Sequence, residues 1–207
     1  MSLDTITAAC AAHGLRSVGV ARDGTGSVVL LGPDNPRFWP IFAASPEARD
    51  GKAHPLDRWS TRVIGALAGA LVCKAAFPFG GPPYAPFLRW AQATGHIGSS
   101  PIGPFVDADM GLWVSFRGAL IWPSPLPDRA APLPCTGCAQ PCATACPVDA
   151  FAGGTYDAAR CRAHISAPEG AECLSQGCKA RHACPVGQAY APPPAQARLH
   201  MTAFRDA

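Results

Sequence analysis

Apolar residues recur with helical spacing in two segments of the first half of the chain. The first segment, Ser2–His13, begins at a serine that is suitable as an N-cap. The second segment, His54–Cys73, predicts the strongest helix, and its Pro55 stands where a first helical turn tolerates proline. Its apolar face is formed by Leu56, Trp59, Val63, Leu67 and Leu71.

Alternating and continuous apolar runs predict strands on either side of the long helix. Leu15–Ala21 and Ser27–Leu31 are expected to be two strands joined by a glycine-containing turn. Pro104–Asp107 and Leu112–Trp122 are expected to form a second hairpin. Large apolar residues occupy both the even-numbered and the odd-numbered positions of Leu112–Trp122. Both faces of this strand are therefore apolar, and it is expected to be central in the sheet. The pattern predicts an α+β domain over residues 1–125, with an antiparallel sheet and flanking helices.

Cysteines are concentrated after this domain. Eight of the ten fall between Cys135 and Cys184, beyond a proline-rich linker. The sequence therefore predicts a separate cysteine-rich module over residues 133–188. The tail over residues 189–207, with its run of three prolines, is expected to be poorly packed.

The cysteine spacing is typical of a protein with two iron–sulfur clusters. Cys135-x2-Cys138-x3-Cys142-x3-Cys146 ends in Cys-Pro, where such a loop gives its last thiolate to the other cluster. The far end of the module also closes in Cys-Pro. On this logic one [4Fe–4S] cluster is held by Cys135, Cys138, Cys142 and Cys184. The other is held by Cys146, Cys161, Cys173 and Cys178.

Two other chemistries use clustered cysteines. Zinc sites take Cys-x2-Cys pairs, but zinc ribbons repeat the pair and do not end in Cys-x3-Cys-Pro. Disulfide frameworks are typical of short exported chains, and this chain begins without a basic and apolar leader. If clusters bind, they either carry electrons or have only a structural role, in which they hold together a segment that has few buried apolar residues. A pair of clusters favours electron transfer.

Composition limits the partners. The formal charge of +3 counts every cysteine as neutral, and two clusters with four thiolates each would bring it to about −1. Lys and Arg are scattered, so no nucleic-acid partner is expected. The longest apolar run is too short to span a membrane, and free thiolates suggest a cytoplasmic setting.

The cysteine module resembles the ferredoxin module of epoxyqueuosine reductases. The resemblance covers Pro134–Val186, includes Asp157-Ala158-Ala159-Arg160-Cys161, and gives every predicted ligand a counterpart. In that family the interleaved ligation is the rule, and the clusters feed electrons to a cobalamin on a nitroreductase-like domain. The resemblance thus implies a nitroreductase-like first domain that is followed by a ferredoxin-like module with two clusters.

A second resemblance lies upstream. The segment Gly111–Gly118 is similar to a strand of the type C cobalamin-processing proteins, and both it and Ala93–Gly98 are placed as in the reductases' cofactor domain. The reductases carry a proton-donating Asp near the position of Gly81. This chain has no Asp or Glu between Asp57 and Asp107. Without that acid, epoxyqueuosine reduction is not expected.

Two residues are candidates for contact with a cofactor in the first domain. Arg117 is the single charge in its predicted strand and needs an anionic partner, either a ligand or Asp107 or Asp109 across the hairpin. His96, in a glycine-rich segment, is either a corrinoid contact or a surface histidine. The leftover Cys10 and Cys73 are expected to be buried structural thiols.

Together these patterns predict a cytoplasmic iron–sulfur redox protein. An external donor supplies electrons, and two [4Fe–4S] clusters pass them to a corrinoid or another flat cofactor on the first domain. The competing interpretations are a non-enzymatic electron carrier, a cobalamin-trafficking protein and a zinc-stapled interaction protein.

Overall fold

The computed structural model describes residues 2–24, 26–35, 37–152 and 155–207. The chain divides into two compact units. The first comprises Met1–Ile97 and Val114–Pro132, and the second comprises Gly98–Trp113 and Leu133–Ala207. The α+β class, with a small antiparallel sheet and flanking helices, is therefore confirmed for the first part of the chain. The domain bounds differ from the prediction, because residues 98–113 group with the cysteine-rich part.

The first unit is built on a four-stranded antiparallel sheet. Its strands, in chain order, are β1 (Leu15–Asp23), β2 (Gly26–Pro33), β3 (Lys74–Ala76) and β6 (Gly118–Trp122). The order across the sheet is β1-β2-β6-β3. Every residue of β2 is buried, as expected for an inner strand that is covered on both faces.

Helices cover the sheet of the first unit. They are α1 (Leu3–Ala11), α2 (Phe38–Ala43), α3 (Pro46–Arg49), α4 (Pro55–Ala70) and α5 (Phe87–Ala93). The Ser2 hydroxyl accepts a hydrogen bond from the Thr5 N–H at 3.2 Å, so the predicted N-cap is confirmed. Trp59 of α4 is 1% exposed and meets the ring of Phe38 edge-on at 5.3 Å. This aromatic contact anchors α4 in the core.

The hairpin predicted for residues 104–122 is wrong. Strand β5 (Phe105–Asp107) pairs with β4 (Ile97–Ser99), which begins at the boundary of the units, and does not pair with Leu112–Trp122. Only β6 is a strand in the latter range, and there the predicted central position is correct. The physical reason is that the apolar run serves two cores, because Leu112 is buried in the second unit while β6 is buried in the first.

The second unit consists mainly of short helices and turns. Its helices are α6 (Ala158–Ser166), α7 (Ala171–Gln176), α8 (Lys179–His182) and α9 (Pro194–Arg205). The prediction of a poorly packed tail over 189–207 is wrong, because α9 packs against α6 and α7 and buries Gln196 and Ala197. The run of prolines ends at Pro194, the first helical residue, where proline starts a helix well.

None of the helices in the described ranges has both the length and the apolarity that a membrane crossing would require.

Candidate metal centre

The loop that carries the first four cysteines is shaped by residues in the left-handed backbone region. Gly137 has φ +74° and Gln140 has φ +54°. A short 3-10 turn over Pro141–Ala143 follows and buries the Cys142 side chain. These turns let cysteines that are only three or four residues apart face one side of the loop.

Four thiols line one cavity of the second unit. They come from Cys135, Cys138, Cys142 and Cys184, which we call the first quartet. The cavity volume is about 20 Å³, and the space not filled by protein atoms is about 330 Å³ when the open mouth is included. Val106, Leu112 and Val186 contribute apolar walls to this first cavity. Three of these thiols therefore come from one loop and the fourth from a residue more than forty positions later in the chain.

The other four thiols line a second cavity of the same volume, about 20 Å³, or about 330 Å³ when the open mouth is included. They belong to Cys146, Cys161, Cys173 and Cys178, the second quartet. Phe151, Ile165 and Met201 are among the apolar residues that enclose it. The division of the eight cysteines between the cavities is the same as the division predicted for the ligands of the two clusters.

The two quartets share a packed core. Cys142 and Cys184 of the first quartet belong to a buried cluster that also contains Leu112 and Ala180. Cys178 of the second quartet packs against that same cluster, and Ala180 also lines the second cavity. The two cavities are therefore neighbours inside one unit, with helix α8 contributing to the wall of the second.

Burial dominates the electrostatics of these thiols. It raises the pKa of Cys135 and Cys142, and the proximity of Cys184 raises both further. Burial is also the largest cause of the raised pKa of Cys173 and Cys178. Four thiolates in one apolar cavity repel each other, so the deprotonated state needs a positively charged centre among them.

Hydrogen bonds reach sulfur atoms of both quartets. The Gln140 N–H donates to Cys138 Sγ at 3.4 Å, and the Ala150 N–H donates to Cys146 Sγ at 3.4 Å. Burial, followed by a hydrogen bond with Cys161, raises the pKa of Tyr156. The ring of Tyr156 stacks on Phe151 at 5.0 Å. The hydrogen bonds that the Gln140 and Ala150 N–H groups donate to sulfur favour the charged form of a thiolate.

Four thiols at each cavity are a donor set that both iron–sulfur clusters and zinc accept. All ten cysteines are free thiols. Among the residues with described positions, no three His, Cys, Asp or Glu side chains are arranged to hold one metal ion. A closed zinc site brings four sulfurs to about 2.3 Å from one point. A [4Fe–4S] cube has iron at alternate corners. Its four thiolates therefore each bind a different iron and lie around the cube, and they do not converge on one ion.

Arg181 was missed by the sequence reasoning. It lies on α8 between Cys178 and Cys184, its Nε donates to the Leu112 carbonyl at 2.7 Å, and its guanidinium lies 4.6 Å from the ring centre of Trp113. Within the described ranges it forms no ion pair with a carboxylate. Burial lowers its pKa. The available signal was its position midway between two predicted ligands.

Arg117 pairs with a carboxylate that the sequence prediction did not name. Its Nη2 lies 3.3 Å from Asp57 Oδ1 at the start of α4. The hairpin on which the predicted pairing with Asp107 or Asp109 depended is not formed. The Arg117 side chain is only 16% exposed, so the ion pair is partly desolvated. An open groove beside it is lined by Asp57, His54 and Phe79, among others.

His96 is a core residue and not a surface histidine. It is 3% exposed and lies against β1, where a Cβ on Gly19 would be 3.0 Å from its Nε2. Neither His96 nor Arg117 lines the two cysteine cavities. In this conformation the His96 imidazole is covered by protein, so a corrinoid has no open approach to it.

The two leftover cysteines lie in the first unit. Cys10 is fully buried, and burial, followed by the nearby Cys73, raises its pKa to about 11. Burial also raises the pKa of Cys73, which is partly exposed. A buried thiol with a high pKa is a poor nucleophile, as expected for a structural residue.

Comparisons of this chain with protein-family models, with curated proteins and with solved structures found no match.

Proposed function

We propose that the second unit binds two [4Fe–4S] clusters and transfers electrons between an external donor and an acceptor. The observation that carries this proposal is the pair of neighbouring cavities, each lined by four thiols drawn from separate parts of the chain. A [4Fe–4S] cluster, when bound, stores and releases one electron at a time. The clusters would join the module into a ferredoxin-like arrangement.

The residues of the second unit have separate roles in this proposal. The two quartets supply thiolate ligands, and the interleaving through Cys146 and Cys184 ties the ends of the unit together. Apolar walls keep water away from the sulfur atoms, which protects the site and influences its reduction potential. Arg181 supplies a positive charge that offsets the negative charge of thiolate-ligated clusters, and this accounts for a partly buried cation that has no carboxylate partner among the described residues.

For the first unit we propose a nitroreductase-like domain that binds the electron acceptor. A corrinoid is the acceptor implied by the resemblance to epoxyqueuosine reductases and cobalamin-processing proteins. The contacts of His96 and Arg117 do not favour these residues as its ligands. The alternative is a ferredoxin-type electron carrier without a cofactor in this unit, and for either protein we propose a cytoplasmic location.

Metal analysis after anaerobic purification tests the cluster proposal. We expect about eight iron and eight sulfide per chain, with broad absorbance near 400 nm. Cys142→Ser and Cys178→Ser should each reduce the count to about four, because each removes a ligand of one quartet. Cys73→Ser, outside both quartets, is the matched control and should keep about eight. Zinc without iron in the wild-type protein would refute the proposal.

Anaerobic titration with cobalamin separates the two interpretations of the first unit. If a corrinoid binds, its absorption spectrum changes on mixing and changes again when the clusters are reduced with dithionite. If the protein is a carrier alone, the spectrum of added cobalamin stays that of the free compound. Arg117→Ala serves as a variant, since it should weaken the binding of a corrinoid only if this residue lies at the site.

A further inference from the structure

The wall of the first cavity contains a hydroxyl without a partner. Ser100 lines this cavity together with the first quartet and is 8% exposed. Its Oγ is buried and, in the described part of the chain, has no hydrogen-bond partner. Both backbone polar groups of Ser100 are hydrogen-bonded. Its N–H donates to the Pro104 carbonyl, and its carbonyl accepts from the Gly103 N–H, both at 3.0 Å.

A buried hydroxyl without a partner is unfavourable. An unpaired hydroxyl loses its hydrogen bonds to water without a replacement, and the turn over residues 100–104 fixes the backbone that carries it. The neighbouring walls offer the apolar side chains of Val106, Leu112 and Val186. The side-chain acceptors among the lining residues are the four cysteine sulfurs and the Gln140 amide, and in the described part of the chain the Ser100 hydroxyl is bonded to none of them.

We propose that the Ser100 hydroxyl donates a hydrogen bond to a sulfur of the cluster bound by the first quartet and thereby raises its reduction potential. The inference rests on the proposed function. Reduction adds one negative charge to the cluster, and a hydrogen-bond donor stabilises the more negative state. Ser100 is thus a residue that sets the potential of one of the two clusters and leaves the other unchanged.

Three variants test the proposal. Ser100→Ala removes the hydroxyl, Ser100→Thr keeps it, and Ser99→Ala removes the exposed hydroxyl of the preceding residue as a matched control. The measurement is an anaerobic redox titration of the loaded protein, followed by electron paramagnetic resonance. In Ser100→Ala one of the two reduction steps should become roughly threefold to tenfold less favourable, which corresponds to about 28 to 59 mV for one electron. Ser100→Thr and Ser99→Ala should retain the wild-type potentials.

A spectroscopic readout separates this effect from a structural one. Proton hyperfine spectra of the reduced wild-type protein should show a coupled proton that disappears in D2O, is absent in Ser100→Ala and persists in Ser100→Thr. Should Ser100→Ala fail to load, the wild-type and Ser100→Thr spectra still decide, because the inference requires in both an exchangeable coupling in addition to that of the Gln140 N–H. Two unchanged potentials in a loaded Ser100→Ala protein, or no such additional coupling in the wild type, would overturn the inference. A wild-type protein without iron would instead refute the proposed function.

Discussion

Replacing Gly111 with alanine should remove one cluster and leave the other. Gly111 has φ +56°, in the left-handed region, and lies under the segment that carries Cys184. A Cβ there would overlap the Val186 carbonyl oxygen and lie 2.8 Å from the Val186 carbonyl carbon and 3.1 Å from Cys184 Sγ. These neighbours include backbone atoms, which cannot rotate away as a flexible side chain can.

The size of the effect follows from this geometry. Alanine in the left-handed region costs about 1–2 kcal/mol, and restoring normal carbon–carbon contact requires a movement of about 0.7 Å. Metal–ligand distances tolerate only about 0.2 Å. The displacement therefore exceeds what Cys184 can absorb and still ligate. We expect Gly111→Ala to bind about four iron per chain instead of about eight.

The assay is iron and sulfide analysis of the anaerobically loaded protein, with thermal unfolding to confirm that the variant folds. Gly51→Ala is the control, because Gly51 has a similar φ of +67° and a Cβ there would meet nothing within 4 Å. It carries the same backbone cost without the displacement and should keep about eight iron. A folded Gly111→Ala protein with a full complement of iron would show that Cys184 does not depend on this close approach.

Three further predictions concern charge and packing. Arg181→Gln should lower both reduction potentials, each by up to about 59 mV or tenfold, because it removes a positive charge from the helix between Cys178 of the second quartet and Cys184 of the first; a redox titration measures this. Trp59→Ala should lower the free energy of unfolding by about 3–5 kcal/mol in urea titrations, since it empties a fully packed site. Hydrogen bonds from Arg62 lower the pKa of Glu47 to about 2 from 4.5, so Glu47→Gln should cost about 1 kcal/mol near pH 7 after solvent screening of the exposed arginine. This stabilisation is present above pH 4.5 and is lost as the pH falls towards 2, so urea titrations of the two proteins should converge there.

Local patterns predicted the elements that depend on local interactions. Helix α4 follows from the spacing of its apolar residues, and α1 begins where Ser2 caps it. The β1–β2 hairpin follows from two short apolar runs around a turn. In each case the residues that decide the structure are neighbours in the sequence, so the element can be predicted from one sequence alone.

Non-local packing limited the rest. The apolar residues of 112–122 were assigned to one strand because a sequence pattern does not say which core each side chain enters. Leu112 belongs to the second unit and β6 to the first. For the same reason the sequence pattern could not predict that Ser100, Arg181 and Val106 lie near the cysteines. The cysteine grouping was accessible because ligand chemistry limits which spacings are useful.

The second unit is discontinuous, and this affects the order in which it can be completed during synthesis. Residues 98–113 leave the ribosome well before the segment around Cys184 that they contact. The roughly 70 intervening residues take about 4–15 s to translate at ordinary rates. During that interval the nascent chain exposes thiols and an apolar loop that have no native partner. Assembly of the first quartet is thus a late event, because it cannot be completed before Cys184 has emerged.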